Sequence, residues 1–221
     1  MPRRRQYKEP NAIYHLIPRF VAGEWFIRGA EERRQYMRLF GLGISQSDWR
    51  CCSYAIMSSH IHLELRAGRD PLADWLRDVH TPFAEWINER NKRIGAVFVR
   101  GPRSNRVRDD GVAHVMGYIH RNPMRAGLVS DPRDSDWTSH AAYLGLAEKP
   151  AWLDTALGLE RAGFASAEEM DMWIRTTEID RSAAKAALVK ARRGRPKLVV
   201  ANKSEVTASQ ILLPQLIQTS L

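Results

Sequence analysis

Two histidines separated by one apolar residue are the first feature of this sequence that could carry chemistry. His60 and His62 lie in SSHIHLEL, residues 58–65, where isoleucine and leucine alternate with polar residues. Alternate residues of a strand share a face, so the two imidazoles and Glu64 would point the same way, each step of two residues spanning roughly 6–7 Å. Such a pair suits one divalent cation, with positions left for water or substrate. The polar, solvent-facing side of a half-buried strand would give the same pattern.

A tyrosine and an asparagine form the second candidate group. Tyr118 and Asn122 are four residues apart in GYIHRNP, residues 117–123, and His114 precedes Tyr118 by four. Residues at this spacing lie on one face of a helix. A tyrosine beside a metal can attack phosphorus, although a phenol with a pKa of about 10 needs a polarised phosphate or a base. An ordinary core tyrosine and a helix-ending asparagine before proline would also explain this segment.

The elements that must position these residues follow from hydrophobic periodicity. We predict three strands and three helices before residue 121, plus a short strand within residues 95–108. The predicted strands span 12–20, 49–57 and 60–66, and the helices span 31–42, 70–93 and 111–121. The second and third strands form a hairpin across Ser58-Ser59, and Pro82 kinks or divides the second helix. This order predicts an α+β domain, an antiparallel sheet with helices packed on one face.

Composition narrows the class of protein. The chain has 221 residues, 44% of them hydrophobic, and a formal net charge of +9. The charge predicts an anionic partner, most commonly nucleic acid. No membrane span or signal peptide is predicted, and the neighbouring Cys51 and Cys52 read as reduced, buried residues, so we expect a cytoplasmic protein.

The basic residues concentrate in two places. One series surrounds the tyrosine helix and predicts a phosphate-binding groove, with a solvated basic surface as the alternative. Its members are Arg100, Arg103, Arg106, Arg108, Arg121 and Arg125. The other, RRGRPK at residues 192–197, resembles an AT-hook, in which Arg193 and Arg195 would enter an A·T minor groove. A flexible tail that binds DNA without specificity would have the same composition.

We divide the chain into a domain of residues 1–150 and a helical, basic extension of residues 151–221. Alanine-rich helical sequence begins near residue 166, and no acidic residue occurs in residues 181–203.

Two motifs together resemble those of the REP-associated tyrosine transposases, which are single-tyrosine HUH transposases. They are YAIMSSHIHLELR, residues 54–66, and YIHRNPMRAGLV, residues 118–129. The strand YHLIPR, the segment GAVFVRG and DWTSHAAYLG extend the resemblance over about residues 7–147. Ser58-Ser59 stands where the family usually has a proline and an asparagine or aspartate.

The resemblance implies a ferredoxin- or RRM-like HUH domain with named roles for four residues. His60, His62 and Asn122 would be ligands of Mg²⁺ or Mn²⁺, and Tyr118 the nucleophile that forms a 5′-phosphotyrosine. The implied reaction is the cleavage and rejoining of single-stranded DNA that folds into palindromic hairpins. The implied protein is a monomer or a homodimer associated with the nucleoid. A regulator that binds DNA or RNA hairpins without cleavage is the alternative, and an HUH nickase of replication or conjugation is a third option.

Overall fold

A four-stranded antiparallel sheet organises the protein. The structure, a computed structural model, describes residues 8–189. The strand order is β2-β3-β1-β4. The strands are β1 (Ile13–Ile17), β2 (Arg50–Ile56), β3 (Ile61–Arg66) and β4 (Arg103–Arg106).

The hairpin between β2 and β3 forms as predicted. Met57 N donates to His60 O at 3.0 Å, so Ser58 and Ser59 make the turn. In β3, Ile61, Leu63 and Leu65 alternate with polar residues and are fully buried, since successive side chains of a strand point to opposite faces.

Two long helices cover the face of the sheet that carries these apolar residues. α1 spans Ala30–Ser45 and α2 spans Leu72–Arg90. Trp75, Val79 and Phe83 of α2 are buried in this core. Pro82 lies inside α2 without dividing it.

The opposite face of the sheet carries a third helix, α3 (Val112–His120). Val112, Val115 and Ile119 of α3 pack with Ile13 and Ala55 of the sheet in a second, smaller core. The predicted α+β class is confirmed. Helices pack on both faces of the sheet rather than on one as predicted, because α3 has an apolar stripe of its own. The polar residues of β1 and β3 therefore lie beneath a helix rather than in solvent.

An irregularity in β2 shapes this second face. The β2–β3 register shifts between Cys51 and Ser53, as expected for a β-bulge that gives one strand an extra residue. Cys51 belongs to the first core and Cys52 to the second. Both cysteines are buried and free, as the sequence predicted.

Short helices complete the described chain. They are α4 (Asn122–Arg125), α5 (His140–Tyr143), α6 (Thr155–Ala162), α7 (Ala167–Thr176) and α8 (Arg181–Ala186). Asp154, Ser166 and Asp180 cap α6, α7 and α8 by accepting from backbone N–H groups. The boundary at residue 150 stays a prediction, and RRGRPK with Arg193 and Arg195 lies outside the described residues.

Both edge strands of the sheet are covered by other segments. Beside β4, Val107 pairs with Leu188, and Val189 N donates to Arg106 O at 2.9 Å. Beside β2, Ala55 pairs with Thr138, and Asp154 N donates to Cys51 O at 2.9 Å.

Within residues 8–189, none of the helices combines the length and the apolar character that a membrane crossing requires.

Candidate active site

Tyr118 lies over the polar residues of β1 and β3. The apolar stripe of α3 packs on the sheet and holds the helix in this place. The ring of Tyr118 is half-buried. It meets the ring of His62 nearly edge-on, with centroids 5.6 Å apart and an interplanar angle of 87°. The ring of His15 is 6.3 Å from it. The predicted nucleophile and one predicted ligand therefore come together within a single chain.

The two predicted histidine ligands are neighbours at the start of β3. Their ring centroids are 4.8 Å apart. Nδ1 of His60 lies 3.0 Å from Oγ of Ser59, which fixes one edge of that ring. His62 is buried, and its Nε2 has no hydrogen-bond partner among the described residues. A buried ring nitrogen without a partner is costly unless something binds it.

His15 of β1 is a third imidazole that we did not include among the predicted site residues. Its Nε2 lies 2.9 Å from Nδ1 of His62, and the two rings stack with centroids 5.1 Å apart. When His62 donates Nδ1–H to His15, its Nε2 keeps a free lone pair. What brings His15 to the site is the register of β1 against β3, which places His15 opposite Glu64.

Burial keeps these imidazoles neutral at neutral pH. It lowers the pKa of His15 to about 4, with a smaller contribution from His60. It also lowers the pKa of His62 well below its usual value, as the charges of His15, His60 and Arg19 do to a smaller extent. The pKa of His60 is lowered by burial and then by Arg19. Neutral imidazole is the form that binds a metal.

Glu64 lies on the same face and is fully buried. Burial raises its pKa to about 8, although a hydrogen bond from Ser53 opposes the shift. Ser53 Oγ donates to Glu64 Oε2 at 2.9 Å, and Oε1 has no partner among the described residues. Ser53, next to the β2 bulge, therefore holds one oxygen of this buried carboxyl group.

Asn122 lies at the start of α4, directly after the tyrosine helix. Its side chain is buried, and Nδ2 donates to the backbone oxygen of Tyr118 at 2.8 Å. This bond fixes the amide with respect to Tyr118 and leaves the side-chain oxygen as the atom suited to a cation.

These donors fit a small divalent cation in their chemistry. The set consists of two neutral imidazoles, one of them with a buried nitrogen lacking a partner, and one amide oxygen. No cluster of three or more His, Cys, Asp or Glu side chains within residues 8–189 could hold a metal ion. The predicted third protein ligand is the amide oxygen of Asn122, with water or substrate completing the shell.

Of the four predicted DNA-binding arginines before the tyrosine helix, two are exposed and two form ion pairs. Arg100 and Arg103 are exposed. Arg106 is ion-paired with Glu9, and Arg108 with Asp110.

Two further arginines flank the tyrosine helix. The guanidinium carbon of Arg125 lies 5.2 Å from the centroid of the Tyr118 ring, which is a cation–π distance. Arg121 instead donates to the backbone oxygens of Ile174 and Thr177. It connects the end of α3 to α7, a contact that its position in the sequence did not indicate.

Two histidines near Tyr118 in the sequence contact residues of later segments. The ring of His114 meets that of Trp173 at 5.3 Å. Nδ1 of His120 lies 3.1 Å from Nδ1 of His140, whose Nε2 is 2.9 Å from an oxygen of Asp171. This chain of polar groups connects α3 to α5 and α7.

The fold is similar to that of a solved REP-associated tyrosine transposase bound to a REP hairpin. The similarity has a TM-score of 0.54 at 12% sequence identity, over 70% of this chain and 93% of the other. No protein-family model and no curated protein matches the chain. The resemblance noted in the sequence is thus confirmed for the fold: the described chain has the α+β architecture of a REP-associated tyrosine transposase.

Proposed function

We propose that the protein is a metal-dependent DNA transesterase that cleaves and rejoins hairpin-forming single strands through Tyr118. The observation that carries the proposal is the approach of the Tyr118 ring to within 5.6 Å of the ring of His62, whose Nε2 is buried and without a protein partner. A tyrosine beside a candidate metal ligand is an arrangement that can carry out phosphoryl transfer.

The proposed reaction conserves the number of phosphodiester bonds. The phenolic oxygen of Tyr118 attacks phosphorus, the bond from phosphorus to the 3′ oxygen breaks, and that oxygen leaves as a hydroxyl after taking a proton. The 5′ phosphate stays esterified to Tyr118, whose own proton passes to solvent. In the second step a 3′ hydroxyl attacks the phosphotyrosine and restores the phenol. Strands are therefore rejoined without ATP.

The chain's own residues would organise this chemistry. His60, His62 and Asn122 would hold Mg²⁺ or Mn²⁺, which supplies charge neutralisation at the phosphate when bound. His15 would hold His62 in the tautomer with a free Nε2. Arg125, whose guanidinium lies over the Tyr118 ring, would contact the phosphate next to the nucleophile.

A hairpin substrate is supported by charge and by the solved neighbour. The net charge of +9 favours a polyanion. The neighbour was solved with a REP hairpin bound. We extend that kind of ligand to this chain as part of the proposal.

The test is the capture of a covalent adduct. The full chain is incubated with Mn²⁺ and a pool of labelled hairpins with single-stranded flanks, made from palindromes near the gene, and then run on a denaturing gel. We expect a protein–DNA adduct that is absent with EDTA and absent in Tyr118→Phe. Tyr14→Phe is the matched control, because Tyr14 is a buried tyrosine of β1 in the first core, and this variant should keep the adduct.

Two outcomes would contradict the proposal. An adduct that persists in Tyr118→Phe would assign the nucleophile to another residue. Hairpins that shift on a native gel without any adduct would favour the alternative, a regulator that binds hairpins without cleaving them.

A further inference from the structure

The helix that carries Tyr118 is short and is held from two sides. α3 has nine residues, and an isolated helix of fewer than about 12 residues is marginal in water. Its place therefore depends on what packs against it. The sheet holds the side that carries Val112, Val115 and Ile119. A later segment, residues 173–187, contacts α3 from α7 through to the residue after α8, and we call this segment the brace.

The brace meets the beginning of α3 at Gly111. An added Cβ at Gly111 would lie 2.7 Å from the backbone oxygen of Ala187 and 2.9 Å from its Cα. The same oxygen of Ala187 accepts from Arg108 N at 2.9 Å. Because backbone lies against backbone here, the start of the helix and the end of the brace fix each other.

The second contact is at Gly117, the residue directly before Tyr118. An added Cβ at Gly117 would lie 2.3 Å from Cδ1 of Ile179 and 3.1 Å from Cζ3 of Trp173. Ile179 is buried, so its side chain has little room to move. Any larger residue at position 117 must therefore displace either the brace or the helix that carries the candidate nucleophile.

Arg121 holds the other end of α3. Its Nη1 donates to the backbone oxygen of Ile174 at 3.3 Å and to that of Thr177. Carbonyl groups at the end of a helix lack intrahelical donors and carry partial negative charge, so a guanidinium suits them. Arg121 follows Tyr118 by three residues and directly precedes Asn122. The contact thus lies between the candidate nucleophile and the candidate amide ligand.

We propose that Arg121 is a positioning residue for the proposed reaction and that the brace keeps Tyr118 in one place over His62. This inference rests on the proposed function and deepens it, since it assigns the placement of the nucleophile to residues outside the candidate ligand set. A reacting group displaced by about 1 Å can lose about 100-fold in rate. Loosening the brace therefore slows adduct formation without weakening the binding of hairpins.

The first experiment separates placement from binding. It uses the full chain, Mn²⁺ and the hairpin of the labelled pool that gives the most adduct. We expect Arg121→Ala to form the adduct about 10- to 100-fold more slowly than wild type. Arg34→Ala is the charge-matched control, because Arg34 is exposed on α1. It should keep the wild-type rate, and the two variants should bind the hairpin equally on a native gel. Arg121→Lys should recover part of the rate, since an ammonium can also donate to a carbonyl.

A second experiment displaces α3 by steric means and then reverses the displacement. Gly117→Ala places a Cβ against Cδ1 of Ile179, and Ile179→Val removes that atom. We expect Gly117→Ala to slow adduct formation and the double variant to regain most of the lost rate. Ile179→Val alone should stay close to wild type. A loss that the double variant does not recover would contradict the role of the brace.

Fluorine NMR reports the placement without DNA or metal. The full chain is labelled with 3-fluorotyrosine, and the signal of Tyr118 is the one missing from Tyr118→Phe. The edge-on contact with the His62 ring sets the environment of this signal in the wild type. We expect the signal to shift or broaden in Arg121→Ala and to stay unchanged in Arg34→Ala. An unchanged signal in Arg121→Ala would overturn the inference.

The two proposals fail in different ways. A Tyr118-dependent adduct that forms at the wild-type rate in Arg121→Ala would refute only the positioning role. A fluorine signal that moves in Arg121→Ala, without any adduct in wild type, would leave the brace in place and refute the transesterase.

Discussion

The edge of the Tyr118 ring faces the imidazole of His62, with centroids 5.6 Å apart, and both residues belong to the same chain. The contact depends on the packing of α3 over the second face of the sheet. Its consequence is that the candidate nucleophile and a candidate ligand need no second copy of the chain to meet.

Substitution of His15 should weaken metal binding without touching a ligand. His15→Ala removes the hydrogen-bond partner of His62 Nδ1, and we expect Mn²⁺ affinity to fall about 10- to 100-fold, as for other residues that orient metal ligands. Calorimetric titration of the full chain with Mn²⁺ measures this. His15→Gln can offer an oxygen where Nε2 was and should restore part of the affinity. His114→Ala, on the Trp173 side of α3, should change nothing, and equal affinity in His15→Ala would refute the orienting role.

Neutralising Arg125 should change the salt dependence of hairpin binding. Its guanidinium stands over the Tyr118 ring, where one phosphate would be bound. We expect Arg125→Gln to reduce the slope of log affinity against log salt by about one. Affinities measured at four salt concentrations give the slope. Arg77→Gln is the control, since Arg77 faces Asp74 and Asp78 on α2, and a slope that falls equally in both variants would contradict the assignment.

The hydrogen-bonded chain of His120, His140 and Asp171 should contribute to the free energy of unfolding. Asp171→Ala leaves Nε2 of the fully buried His140 without its partner. A buried polar atom that loses its hydrogen bond costs about 1–3 kcal/mol, so the free energy of unfolding should fall by that amount in urea denaturation. Asp134→Ala, at an exposed position, should have little effect. A similar loss in both variants would show that the network contributes nothing specific.

Stability should decrease as the pH falls below neutrality, with His80 as one measurable cause. Burial lowers the pKa of His80 to about 3, whereas an unfolded histidine has a pKa of about 6.5. The unfolded chain therefore binds a proton that the folded chain excludes, and stability is lost between about pH 6.5 and pH 3. From pH 7 to pH 5 this residue alone accounts for about 2 kcal/mol.

The variant His80→Phe isolates that contribution. The ring of His80 stacks on Phe98 with centroids 4.0 Å apart, which another planar ring can reproduce. Urea denaturation at pH 7 and pH 5 should show a smaller loss of stability in His80→Phe than in wild type, by about 2 kcal/mol. Equal losses in the two proteins would mean that His80 takes up its proton in the folded state.

Local patterns were enough to predict the hairpin, the shared face of His62 and Glu64, and the helix that carries Tyr118. They were insufficient wherever distant segments meet. His15 joins the site only through the pairing of β1 with β3. Arg121 has carbonyl partners more than fifty residues along the chain. The placement of α3 on the second face depends on which of two apolar surfaces it packs against, and periodicity within the helix does not encode that choice.

The covered edges of the sheet bear on how copies of this chain can associate. An open edge strand offers unpaired N–H and C=O groups to another chain, which is the usual route to aggregation and strand exchange. Here Leu188 and Val189 lie along β4, while Thr138 and Asp154 contact β2. Strand pairing between two copies along β2 would compete with these contacts. The intact fold therefore favours association through helices or loops over pairing along β2.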